Sequence, residues 1–120
     1  MSEGELHPRI TLMERIIEHY RQVRGVRGEI DVPEWGLTIW VKPMNLLEKE
    51  QLREFGSGPR LLAAYVVHRS LDEHGELIFA PAQLQEFMTR ADAAVIGRIV
   101  EAMNVFDART PSAEDVRKNS

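Results

Sequence analysis

The stretch DVPEWGLTIWVKPM, Asp31 to Met44, decides how this chain is read. It sets Val32-Pro33-Glu34-Trp35-Gly36 between two apolar runs, and both tryptophans of the chain, Trp35 and Trp40, fall inside it. Pro33 has a fixed φ and no N–H to donate, so it suits the start of a turn and not the centre of a paired strand. Gly36 can take the positive φ needed where the chain re-enters the ladder. Beyond it, Leu37, Ile39 and Val41 alternate with Thr38, Trp40 and Lys42, which is the period of a strand. The stretch therefore reads as a hairpin over 28–42, with strands at 28–32 and 37–42 and Trp35 on the turn. Trp35 either packs back on its own hairpin or contacts a partner or a second copy. Trp40 points away from the aliphatic face, toward a second covering layer or a docking surface.

Helical spacing surrounds the hairpin. Upstream, TLME fits a capping box with Thr11 as N-cap and Glu14 reaching back. Ile10, Met13, Ile16, Ile17, Tyr20 and Val23 then recur at helical spacing, giving a lead helix over 10–24. Its stripe is expected to be core, with docking on a partner as the alternative. Downstream, Asn45 suits an N-cap with Glu48 three residues on, and Leu46, Leu47, Leu52 and Phe55 form a stripe. GSGP at 56–59 is a joint, with Pro59 in the first turn of the next helix. Residues 60–71 fit a buried helix at their start and a strand in YVVHRSL at their end. A short strand pair is expected around 66–79, turning at Asp72-Glu73-His74-Gly75. Pro81 starts a helix running to about Met88. Asp92 caps a last one with Val95, Ile96, Ile99, Val100 and Met103 in register, and Asn104 near its end. The polar tail, 108–120, can carry one more short helix capped by Thr110 or Ser112. The expected fold is α+β: one mostly helical domain over 1–120 with a small antiparallel sheet.

Composition narrows the function classes. The chain has 120 residues, 43% hydrophobic and 28% charged, the profile of one globular domain. It has no cysteine, which removes disulfides, thiolate catalysis and cysteine-ligated metals. No apolar run approaches the roughly 20 residues that span a bilayer. MSEGELHPRI has no signal-peptide pattern, so a cytoplasmic protein is expected. The net charge is −4, and the acidic excess lies wholly in residues 71–120, nine acids against five bases. Arg21, Arg24 and Arg27 form the best basic cluster, but they sit among balancing glutamates and read as a solvated face. No nucleic-acid or membrane partner is expected.

Enzyme motifs are absent: no GxGxxG, no P-loop, no HExxH. GSG at 56–58 does not meet the serine-elbow pattern. His68, Asp72 and His74 lie close in sequence, and a small metal-dependent enzyme using His68 and His74 is the weakest of the readings. The expectation is no catalysis, no metal and no cofactor.

Several motifs, taken together, resemble one family. VPEWG (Val32, Pro33, Glu34, Trp35, Gly36) is followed by an alternating strand and the helix LLEKEQLREF. LDEHGELIF then supplies Asp72, Gly75 and Phe79, a helix ends near Met103-Asn104, and Lys118-Asn119 follows in the tail. Over about residues 29–119 this order is similar to that of the tail assembly chaperones of long-tailed bacteriophages, encoded just upstream of the tape-measure protein. The first 28 residues form a longer helical lead than that pattern. The resemblance implies a protein that binds and solubilises the tape-measure protein during tail morphogenesis in the bacterial cytoplasm and is absent from the finished virion. It also implies a frameshift near Lys118-Asn119, giving a longer form that recruits the tail tube protein. Self-association fits a protein that coats one long chain in many copies. Trp35, Trp40 and Glu34 are the candidate partner contacts, since exposed tryptophans anchor interfaces. The alternative is a small bacterial protein-interaction or regulatory domain whose motifs match by chance.

Overall fold

A computed structural model describes residues 8–109. Strands β1 (Gly28–Val32) and β2 (Leu37–Val41) pair antiparallel, with Ile30 opposite Ile39 and Val32 opposite Leu37. The connection is a single 3-10 turn, Pro33–Trp35, closed by Gly36 at φ 67°. A side chain at that φ is strained, and glycine removes the cost. Ile39 and Val41 are buried as their alternation predicts, whereas Leu37, at the tip end, is exposed.

Among the described residues, five α-helices complete an α+β fold. They are α1 (Pro8–Val23), α2 (Leu46–Arg53), α3 (Pro59–Arg69), α4 (Leu84–Arg90) and α5 (Ala93–Ala108). Their starts obey local chemistry. Asn45 accepts from the Glu48 N–H at 2.8 Å while Glu48 accepts from the Asn45 N–H at 3.0 Å, the reciprocal capping box that the sequence predicts. Pro59 occupies the first turn of α3, where its missing N–H would have no partner. Asp92 caps α5 through the Ala94 N–H at 3.1 Å. At α1 the expectation fails. The helix begins at Pro8, three residues ahead of Thr11, so Thr11 lies inside it and is not its cap.

Two apolar clusters make the core. One joins Val32, Ile39 and Val41 of the hairpin to Val66 of α3 and to Val95, Ile96, Ile99, Val100 and Met103 of α5. The other joins Leu52 to Ala63, Ala64 and Val67 of α3 and to Leu84 of α4. Helix α3 thus stands between them, with Ala64, Val66 and Val67 fully buried. Each buried Val or Ile contributes about 1.5–3 kcal/mol. Gly28 has a packing reason: a Cβ there would come within 2.6 Å of the Phe106 ring, so the absent side chain lets α5 lie against the strand.

The region around 66–79 is narrower as a sheet than expected. Helix α3 runs through Arg69, which resolves 60–69 as helix. After the helix, the chain makes only two single bridges, Trp40 with Leu71 and Leu71 with Leu77. Arg69, only 6% exposed, explains why the helix persists. Its guanidinium donates twice to Asp107 on α5, at 2.7 and 2.8 Å, and once to the Lys42 carbonyl at 2.9 Å. A buried charge needs such partners, and these fix the end of α3 against α5 and the residue that follows β2.

The lead helix departs furthest from expectation. Its stripe is not core: Met13 is 54% exposed, Ile16 52% and Ile17 58%. Helix α1 is held at its C-terminal end, where Val26 is buried and the Tyr20 hydroxyl donates to Glu48 at 3.3 Å. Leu46 and Leu47 of α2 are likewise exposed, so only Leu52 and Phe55 of that stripe reach the interior. No helix among the described residues is long and apolar enough to cross a membrane. The expected tail helix, with Thr110 and Ser112, and the Lys118-Asn119 position lie outside the described residues.

Candidate protein-interaction surface

The hairpin tip is spoken for within the chain. Trp35 folds back and meets Phe79 and Phe87 edge-to-face, with ring centroids 6.0 and 6.1 Å away. Phe79 and Phe87 are themselves 5.2 Å apart, so the three rings close a triad against the main core. Edge-to-face pairs of this kind add about 0.5–1.5 kcal/mol each beyond burial. Glu34, beside Trp35, accepts two hydrogen bonds from Arg98 of α5, at 2.7 and 2.5 Å. Those bonds, and after them a backbone N–H, bring its carboxyl from 4.5 down to about 2. Both candidate tip contacts thus serve the fold. A cleft of about 370 Å³ opens beside the triad, bordered by Glu86 and Arg90.

The other signature residues divide in the same way. Val32 is fully buried. Asp72 accepts from the N–H groups of His74 and Glu76 at 2.8 and 3.0 Å, and Gly75 takes φ 83°, so this pair builds the tight turn. The Glu76 N–H, with that of His74 behind it, holds the Asp72 carboxyl below its usual range. Asn104 lies exposed on α5. Trp40 is half-buried on the sheet face opposite Ile39 and Val41, across from Glu29, and remains available in part to a partner.

The two histidines do not form the imagined site. His68 lies on α3 with its ring 5.0 Å from Phe55, while His74 is exposed beside Glu73 at 3.5 Å. Among the described residues no three His, Asp or Glu side chains converge as a metal site would require.

The exposed apolar surface lies elsewhere. Helix α1 and the start of α2 bound an open groove of about 740 Å³. Ile16, Ile17 and Tyr20 form one wall, Met44 and Leu46 the other, and Phe106 closes an end. Leu46 is 88% exposed, an unusual state for a leucine at a helix start beside further exposed apolar residues. Burial, and next the Glu48 carboxylate, pushes the Tyr20 hydroxyl above its usual range. The lining is largely apolar, with Arg21, Arg24 and Lys49 among its residues.

No family model, curated protein or solved structure matches this chain.

Sequence reasoning had α1 in view but assigned its stripe to the core, and it missed Arg98, Phe87 and Arg69 as partners. One signal was present for the groove. Leu12 and Met13, then Ile16 and Ile17, make a wide stripe, and Leu46-Leu47 opens the next helix. A two-stranded sheet offers little area to cover both.

Proposed function

We propose that this protein is a tail assembly chaperone of a long-tailed bacteriophage. It acts without catalysis in the bacterial cytoplasm and keeps the tape-measure protein soluble until the tail tube encloses it. The ordered motifs from VPEWG to Met103-Asn104 support the family. The observation that carries the mechanism is the exposed stripe of α1 facing Leu46 across an open groove. A tape-measure chain presents long amphipathic helices, and a groove of this kind takes one helix by its apolar stripe. Release is as necessary as capture. An open, water-facing groove leaves part of a bound helix uncovered, so binding stays weak per copy and many copies share one client. A longer form made by frameshifting near Lys118-Asn119 then brings the tube protein to the same complex.

Co-expression with the tape-measure protein encoded directly downstream tests this. The chain is expected to hold that protein in the soluble fraction and copurify with it. The variant Ile16→Glu/Ile17→Glu, folded by circular dichroism, is expected to lose it. An insoluble tape-measure protein beside soluble wild-type chain would sink the reading.

A further inference from the structure

We infer that the groove between α1 and α2 selects an amphipathic helix whose apolar stripe is flanked by acidic side chains. This deepens the chaperone reading and rests on it for the identity of the client alone. The walls, with Ile16, Ile17 and Leu46, set the need for an apolar stripe. The rim sets the charge. Arg21, Arg24 and Lys49 border the groove, although the chain as a whole carries −4. Asp107, the acid at its end, is already held by two hydrogen bonds from Arg69. Its charge is answered inside the fold and offers little to a basic ligand.

The cations differ in their availability. Arg21 shares its guanidinium with Glu18 at 2.7 Å along α1. Among the described residues, neither Arg24 nor Lys49 enters an ion pair. Arg24 directly follows α1 and Lys49 lies on α2, so a cation stands beside each of the two elements that bound the groove. A helix lying between them meets positive charge on both flanks, the arrangement by which flanking charges choose partners in helix pairs. The same details argue against a phosphate backbone as ligand. Arg27 turns its guanidinium onto the carbonyls of Arg24 and Val26, at 2.6 and 3.1 Å, which breaks the row of three arginines.

Two synthetic helical peptides of about 18 residues, long enough to be helical on binding, test the inference. Both carry leucine at i, i+3, i+4 and i+7, and their flanks are all glutamate in one and all lysine in the other. Fluorescence anisotropy with the full chain is expected to show the glutamate peptide binding about tenfold tighter at low salt, from a few exposed attractions and repulsions. The preference shrinks in about 1 M salt, where the screening length is near 3 Å. Arg24→Glu/Lys49→Glu reverses the order while leaving the circular dichroism spectrum unchanged; should that variant misfold, Lys49→Glu alone must narrow the gap. Equal affinities, a lysine preference, no binding of either peptide, or a preference untouched by charge reversal would each overturn the inference. So would a sedimenting dimer of the chain that shuts the glutamate peptide out. The two readings fail separately. If the tape-measure protein is not retained but the peptide preference holds, the chaperone reading falls and this one stands. If the charge-reversed variant retains the tape-measure protein as well as wild type, the selectivity falls and the chaperone reading stands.

Discussion

The hairpin tip and the α1 face both carry large apolar side chains, and the fold covers one and leaves the other open. At the tip, Trp35 sits on a turn, where an aromatic residue suggests a partner, yet it closes a triad with Phe79 and Phe87. On α1, Ile16 and Ile17 recur as core residues do, yet more than half of each is exposed. The difference is what lies opposite. The tip faces α4 and α5, which supply Phe87 and Arg98, and the segment before α4, which supplies Phe79. Helix α1 faces open groove. Apolar character says that a side chain gains by being covered and does not say by what. The residues of a sequence motif can accordingly serve the fold, while the exposed apolar surface lies outside them.

Breaking the triad has the largest expected effect on stability. Phe87→Ala and Trp35→Ala should each cost about 3 kcal/mol in urea unfolding, the lower end for aromatic truncation since both rings are half-buried. A tryptophan serving only a partner would instead be replaceable at little cost. The double variant sharpens the point: a coupling of about 0.5–1.5 kcal/mol between positions 35 and 87 is expected from their edge-to-face contact, and additive losses would deny it. Next comes the α2 cap, where Asn45→Ala should cost about 1 kcal/mol by orphaning the Glu48 N–H.

A smaller effect is expected at Glu34, visible mainly through pH. Its folded pKa, about 2, lies below the ordinary 4.5. The unfolded chain therefore binds the proton more readily, and the stability contributed by the Arg98 pair is present above pH 4.5. It is lost as pH falls through about 2. Glu34→Gln should lower the melting temperature slightly at neutral pH and converge with wild type near pH 2, a value set by the folded group. A gap that persists at that pH would assign the effect to something other than the ion pair.

The smallest stability change is expected on α1. Ile16→Ser/Ile17→Ser should stay within about 0.5 kcal/mol of wild type, as surface substitutions do, and under the proposed function it abolishes retention of the tape-measure protein. If that variant unfolds instead, α1 is covered in solution and the contrast with the tip collapses.

Neighbours along the chain determined much of this protein from sequence alone. The Asn45–Glu48 box, Pro59 at the start of α3, the Asp92 cap, the Asp72–Gly75 turn and the strand alternation each involve residues a few positions apart. Their chemistry acts before any tertiary contact forms, and the α5 stripe from Val95 to Met103 is legible for the same reason. Tertiary structure alone decided that Glu34 meets Arg98, 64 residues away, and that Arg69 meets Asp107, 38 residues away. It also decided the fate of α1. Helical periodicity reports that a face is apolar; whether that face is buried depends on how much surface the rest of the fold can offer, which the hairpin, α3 and α5 had already used on one another.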